Sequence, residues 1–96
     1  MGSPDTGFRV QEGGQVWVKG YRIHPGAMLQ GADFRGADLT YLPMTDMGLE
    51  YAQFEGARCR GAKFRGSRLF AANTVGVSGL DLTGAVTHPF FRAVAD

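Results

Sequence analysis

The chain has 96 residues, with ten Lys or Arg against nine Asp or Glu and a formal charge of +1, so it has room for one domain and buries only about two thirds of its unfolded surface. Near-balance of charge excludes an overall field toward nucleic acid or an anionic membrane, and the lone Cys59 excludes an internal disulfide. Fifteen glycines, about twice ordinary usage, imply many tight bends or close backbone approaches.

The N-terminus lacks a basic region followed by an apolar run, and no segment approaches the roughly 18 apolar residues a membrane span needs. The expected setting is soluble and reducing or redox-indifferent, in the cytoplasm or within a particle assembled there. Residues 1–25 are expected to be N-terminal strands: Phe8 to Gln11 and Val16 to Lys19 flank Gly13-Gly14, a good two-residue hairpin turn. A hairpin or strand cap on whatever follows is the expectation.

From Gly26 a five-residue unit repeats without a gap: GAMLQ, GADFR, GADLT, YLPMT, DMGLE, YAQFE, GARCR, GAKFR, GSRLF, AANTV. The fourth position runs Leu29, Phe34, Leu39, Met44, Leu49, Phe54, Cys59, Phe64, Leu69, Thr74; nearly all are apolar. The second is small except at Leu42 and Met47. Five steps fit neither a helix nor a straight strand, because both would scatter these residues around the element. A chain that turns a corner every five residues, always the same way, would aim them all at one axis. Four such sides make a coil of about 20 residues, spaced from the next by about 4.8 Å. Glycines at Gly31, Gly36, Gly56, Gly61 and Gly66 suit the corners. The side holding YLPMT and DMGLE is expected to bulge.

The A-(D/N)-(L/F)-x-x pattern, plainest in Ala32-Asp33-Phe34-Arg35-Gly36 and Ala37-Asp38-Leu39-Thr40, resembles the pentapeptide-repeat proteins over residues 26–75. The resemblance implies an all-β fold, a right-handed quadrilateral β-helix of about 2.5 to 3 coils at this length. Its extent is expected to be 26–86, with the large and small apolar columns filling the interior. The resemblance also implies that residues twenty apart stack: Leu29 with Leu49 and Leu69, Phe34 with Phe54, Leu39 with Cys59, Met44 with Phe64, and outside, Arg35 with Glu55 and Asp38 with Arg58.

After Asn73 the repeat loses phase, resumes at Leu80 to Ala85, and ends in Thr87-His88-Pro89-Phe90-Phe91-Arg92-Ala93-Val94. Residues 87–96 are expected to be a C-terminal cap, a short helix with Pro89 in its first turn. Phe90 and Phe91 would close the barrel or dock on a neighbour.

No catalytic set emerges. Cys59 stands in the inward column, His24 and His88 each precede proline at a turn, and Asp33 and Asp38 fall on successive faces. No metal, cofactor or small-molecule substrate is expected. Candidate partner-binding residues are the aromatics outside the inward columns, Trp17, Tyr21, Tyr41 and Tyr51, for which packing against the N-terminal strands competes with a contact role. Phe90 and Phe91 join them. So does the cluster Arg58, Arg60, Lys63, Arg65 and Arg68, for which a solvated charged surface competes with a contact to acidic protein or phosphate.

Three functions compete. The favoured one is a non-enzymatic structural or protein-interaction module, self-associating or docked in a larger assembly such as a phage particle, with protein partners, no membrane and no nucleic acid. The resemblance also implies a topoisomerase-binding DNA mimic of the quinolone-resistance type, which short length and a charge of +1 disfavour. The third is a small effector or adaptor binding a cellular protein through the outer faces.

Overall fold

The structure, a computed structural model, describes residues 9–87. Strands β1 (Arg9–Glu12), β2 (Gln15–Val18) and β3 (Tyr21–Ile23) form one antiparallel sheet in the order β1-β2-β3. Gly13 and Gly14 both take positive φ, 56° and 80°, the primed turn that matches strand twist in a two-residue hairpin. A second two-residue turn, Lys19-Gly20 with φ of 50° and 87°, adds β3. The sequence expectation ended at Lys19 because Lys-Gly is a weaker turn signal than paired glycines.

From Met28 onward the chain stacks on itself in parallel. Four ladders of isolated bridges climb the structure: Met28 with Gly48, Arg68 and Val86; Asp33 with Gln53 and Asn73; Asp38 with Arg58 and Ser78; and Pro43 with Lys63. On three of these ladders the paired residue lends both backbone groups, as when Gly48 N donates to Ala27 O at 2.8 Å while its own carbonyl accepts from Leu29 N at 2.7 Å. Most corners are closed by a bond back across the turn, for example Ala32 N to Leu29 O at 3.1 Å, with positive φ at the third turn residue, here Gly31. This is a β-helix-like fold, and the five-residue period follows from it.

The interior is what the columns required. Phe34, Leu39, Met44, Leu49, Phe54, Cys59 and Phe64 are buried, with Ala27, Ala32, Ala37, Ala52, Ala57 and Ala62 in the small column. Phe34 and Phe54 stack at 5.4 Å and 11°, and Phe54 meets Phe64 edge-on at 6.0 Å. The antiparallel sheet covers the first coil: Val18 and Ile23 enter the core, Tyr21 packs its ring 5.1 Å from that of Phe34, and the Tyr21 hydroxyl accepts from Asp33 N. Pro43, which has no N–H, stands in that same first coil, where no earlier coil offers a carbonyl.

The side with YLPMT and DMGLE holds its large residues inward, Leu42 and Met47 both being buried. One corner gives way: no bond joins Met47 N to Met44 O, and the buried Ser67 hydroxyl fills the gap, accepting from Met47 N at 2.9 Å and donating to Met44 O. The larger side chains are thus accommodated by opening a turn that a hydroxyl twenty residues on re-satisfies.

The lost phase after Asn73 also has a location. Ser78 keeps its place against Arg58, then Gly79 packs directly on Arg60, where a Cβ would lie 2.7 Å from the Arg60 Cα. The third coil returns to its ladder two residues early, Val86 pairing with Arg68. On the fourth face the ladder ends at Pro43 with Lys63 among the described residues. The expected C-terminal helical cap, with Phe90 and Phe91, lies outside the described residues.

Replacing Ser67 by Ala strands a buried N–H and a buried carbonyl, at about 1–3 kcal/mol for each unsatisfied group. The expected result is a loss of about 2–4 kcal/mol in a urea titration; a midpoint equal to wild type would show that the open corner needs no hydroxyl.

Candidate interaction surface

Outward positions alternate along each face with inward ones, so the charged residues line the outside while the corners carry the first residue of each unit. The five cations that are neighbours in sequence are divided among three faces and the turns between them: Arg58, Lys63 and Arg68 stand on successive faces, with Arg60 and Arg65 in the turns that follow the first two. Arg68 belongs to a separate neutral group, its Nε 3.0 Å from Glu50 Oε2. Burial pulls the Glu50 carboxyl upward, but its own backbone N–H and Arg68 outweigh this and leave it below the usual carboxylate range.

Arg35 keeps the expected Glu55 within electrostatic reach, but its close partner is another carboxylate. Arg35 grips Asp33 in a fork, Nε to Oδ1 at 2.9 Å and Nη2 to Oδ2 at 3.0 Å, while its backbone N–H also donates to Oδ1. The reason is local: two residues along one face bring side chain and turn N–H to the same carboxylate. Lys19, from the turn between β2 and β3, lies 3.6 Å from the same Asp33 oxygen and donates to Arg35 O at 2.9 Å, pinning the sheet to the coil. These contacts, the Arg35 side chain first, hold the Asp33 carboxyl far below the ordinary carboxylate range. Asp38 and Asp81 make the same turn contact with Thr40 and Thr83, which lowers Asp81 as well.

The candidate aromatics separate into two kinds. Tyr21 is half-buried against the core, and Trp17 is half-buried in the sheet opposite Arg22. Tyr41 and Tyr51 are exposed, at 67% and 57%, and occupy corners in the left-handed conformation, φ 59° and 64°, which Asp46 and Ala71 also adopt and which most other corners fill with glycine. That conformation costs a side-chain-bearing residue about 1–2 kcal/mol. Tyr51 sets its ring edge-on to Phe70 at 5.7 Å. The Tyr41 ring lies over Gly61 of the next coil, where a Cβ would overlap it. No residue-type signal marks Gly61 as a seat; only the twenty-residue register would have found it.

Beside this corner a cavity of about 370 Å³ opens between coils, lined by Thr45, Lys63, Phe64, Arg65, Asp81 and Thr83. It marks the face where the ladder between residues 61–65 and 79–83 is absent among the described residues. Thr45, Asp81 and Thr83 were invisible to sequence reasoning, since the shortened third coil brings them there. Cys59 is fully buried and burial pushes its thiol up to about 11. Among the described residues no three His, Cys, Asp or Glu side chains come together to hold a metal, and no helix is long and apolar enough to cross a membrane.

The family model described as pentapeptide repeats matches the chain in eight copies, at residues 26–42. No curated protein matches, and no solved structure does.

Two outcomes follow from these environments. Cys59 resists iodoacetamide at pH about 8 in the folded protein and reacts once urea unfolds it, by mass spectrometry; equal rates would mean the thiol is reachable. Because its folded carboxyl is depressed, Asp33 contributes stability that is present above the ordinary carboxylate pKa and lost as pH falls below about 4. Asp33→Asn therefore flattens the decline of the urea midpoint in that range, and an unchanged slope would remove Asp33 from the acid response.

Proposed function

The chain is a pentapeptide-repeat protein, and we propose that it acts without catalysis, as a structural module that binds protein through its outer faces and its ends. The observation that carries this reading is the pair of exposed tyrosines, Tyr41 and Tyr51, kept at left-handed corners that the repeat gives mostly to glycine. Exposed aromatics held at a conformational cost are the side chains that anchor protein contacts. The one cysteine is buried, and the outward carboxylates Asp33 and Glu50 are engaged by Arg35 and Arg68. That engagement weighs against a duplex mimic, which needs continuous negative charge.

In its finer form the proposal is a right-handed quadrilateral coil of about 2.5 to 3 turns, closed at the N-terminal end by the antiparallel sheet. It self-associates or sits as a decoration or accessory subunit in a larger assembly, such as a phage particle. A stub of this length is nearly all ends, and uncovered strand edges favour pairing with a neighbour. The partly buried inward residues of the last coil, Ala72, Val77, Leu80, Leu82 and Ala85, are consistent with an end that meets something.

Sedimentation velocity on the untagged chain over a concentration series tests this. The expected outcome is a species larger than monomer that grows with concentration. A monomer throughout, with no complex recovered from native extract, would end the assembly reading.

A further inference from the structure

We propose that the corner built from Tyr41 and Gly61, with the two faces that meet there, is the docking site for an extended acidic segment of a partner protein; this rests on the protein-contact reading above. Tyr41 N donates to Arg60 O at 2.8 Å, which places the tyrosine directly over the Arg60-Gly61 corner. Its ring covers the side-chain-less Gly61, and Tyr41 remains 67% exposed. Arg58 and Arg60 lead into that corner and Lys63 and Arg65 lead out of it, all four exposed. Among the described residues none of the four reaches a carboxylate at ion-pair distance, whereas Lys19, Arg35 and Arg68 all do. Four cations without a carboxylate at ion-pair distance, Lys63 having only a longer-range attraction to Asp81, therefore stand on the faces and turns next to one exposed aromatic ring, a combination that the linear run of basic residues, with Arg68 included, did not isolate.

Spacing and charge favour a peptide. Alternate outward residues of a face are about 6.8 Å apart, the spacing of every second side chain in an extended chain, so carboxylates at alternate positions meet each cation pair in register. Arg58, Arg60 and Arg65 supply planar guanidinium forks suited to carboxylates, and Tyr41 supplies the aromatic anchor between them. The corner lies between the two pairs. A stiff duplex, with a persistence length of about 150 bp, would touch one pair at a time and release few counterions, while a flexible peptide follows the turn. Asp38, the ladder neighbour of Arg58, and Asp81, which shares the cavity wall with Lys63, border the band. They confine the positive surface to one coil and oppose a dense row of phosphates.

The probe is a fluorescein-labelled peptide of alternating Glu and Thr, about ten residues or roughly 34 Å when extended, titrated with the full chain by anisotropy at low salt. Binding is expected to weaken with salt, by at least about tenfold in R60Q/R65Q and by about threefold or more in Tyr41→Gly, which relieves rather than strains the backbone. R68Q, whose arginine serves Glu50, is expected to bind like wild type, and circular dichroism should show all variants folded. Absence of binding at low salt, an equal loss in R68Q, or tighter binding of an oligothymidylate of the same charge would each overturn the proposal. Concentration-dependent sedimentation that persists in R60Q/R65Q assigns such a failure to this corner alone, because the broader assembly reading is measured by that profile.

Discussion

The structure depends on one constraint: the backbone of each coil is satisfied by the coil above and the coil below. Leu29 donates to the carbonyl of Gly48, and Gly48 donates back to Ala27; the same exchange recurs along three of the four ladders, while at Pro43 only Lys63 N reaches across, to Leu42 O. Because buried backbone groups must be paired, any unit that drifts from the twenty-residue stacking loses bonds on both sides. The regular core of stacked Phe34 and Phe54 is a consequence of that register as much as a cause of it.

Departures from the repeat are resolved locally, with the bonding given up on one face only among the described residues. Large residues at Leu42 and Met47 open a corner, and Ser67 restores its lost bond from the coil below. Two residues fewer in the third coil are absorbed at one corner, where Gly79 sits against the Arg60 backbone. The cost appears on the adjoining face as a cavity beside Lys63 and Arg65, instead of as broken bonds distributed along the chain. The N-terminal sheet is fixed by the same economy, with Tyr21 receiving an outward N–H of the first coil and Lys19 reaching the Asp33–Arg35 pair.

Confining apolar residues to the inside leaves corners and outward positions as the surfaces on which the chain is free to vary. The tyrosines at two corners and the cations around one of them use that freedom. Both features tie function to stacking, since Tyr41 needs Gly61 beneath it to lie flat. A partner that reads this corner reads two coils at once.

The repeat, its inward columns and the first hairpin were legible in the residues alone, because a strict period with apolar and small residues at fixed positions leaves one way to bury them all, and the family resemblance added the stacking partners. The sequence also held the glycine pair that turns β1 into β2. It did not disclose β3, whose turn depends on an unremarkable Lys-Gly pair, nor the choice of Asp33 over Glu55 as partner for Arg35. The linear run from Arg58 to Arg68 read as a single cluster, although a corner every five residues sends its members to three faces. Which cations stay unpaired, which glycine seats a ring and which serine mends a turn are relations between residues about twenty apart. These emerge with the folded coil, because the distances that set ion pairs and contacts are created when one coil closes on the next.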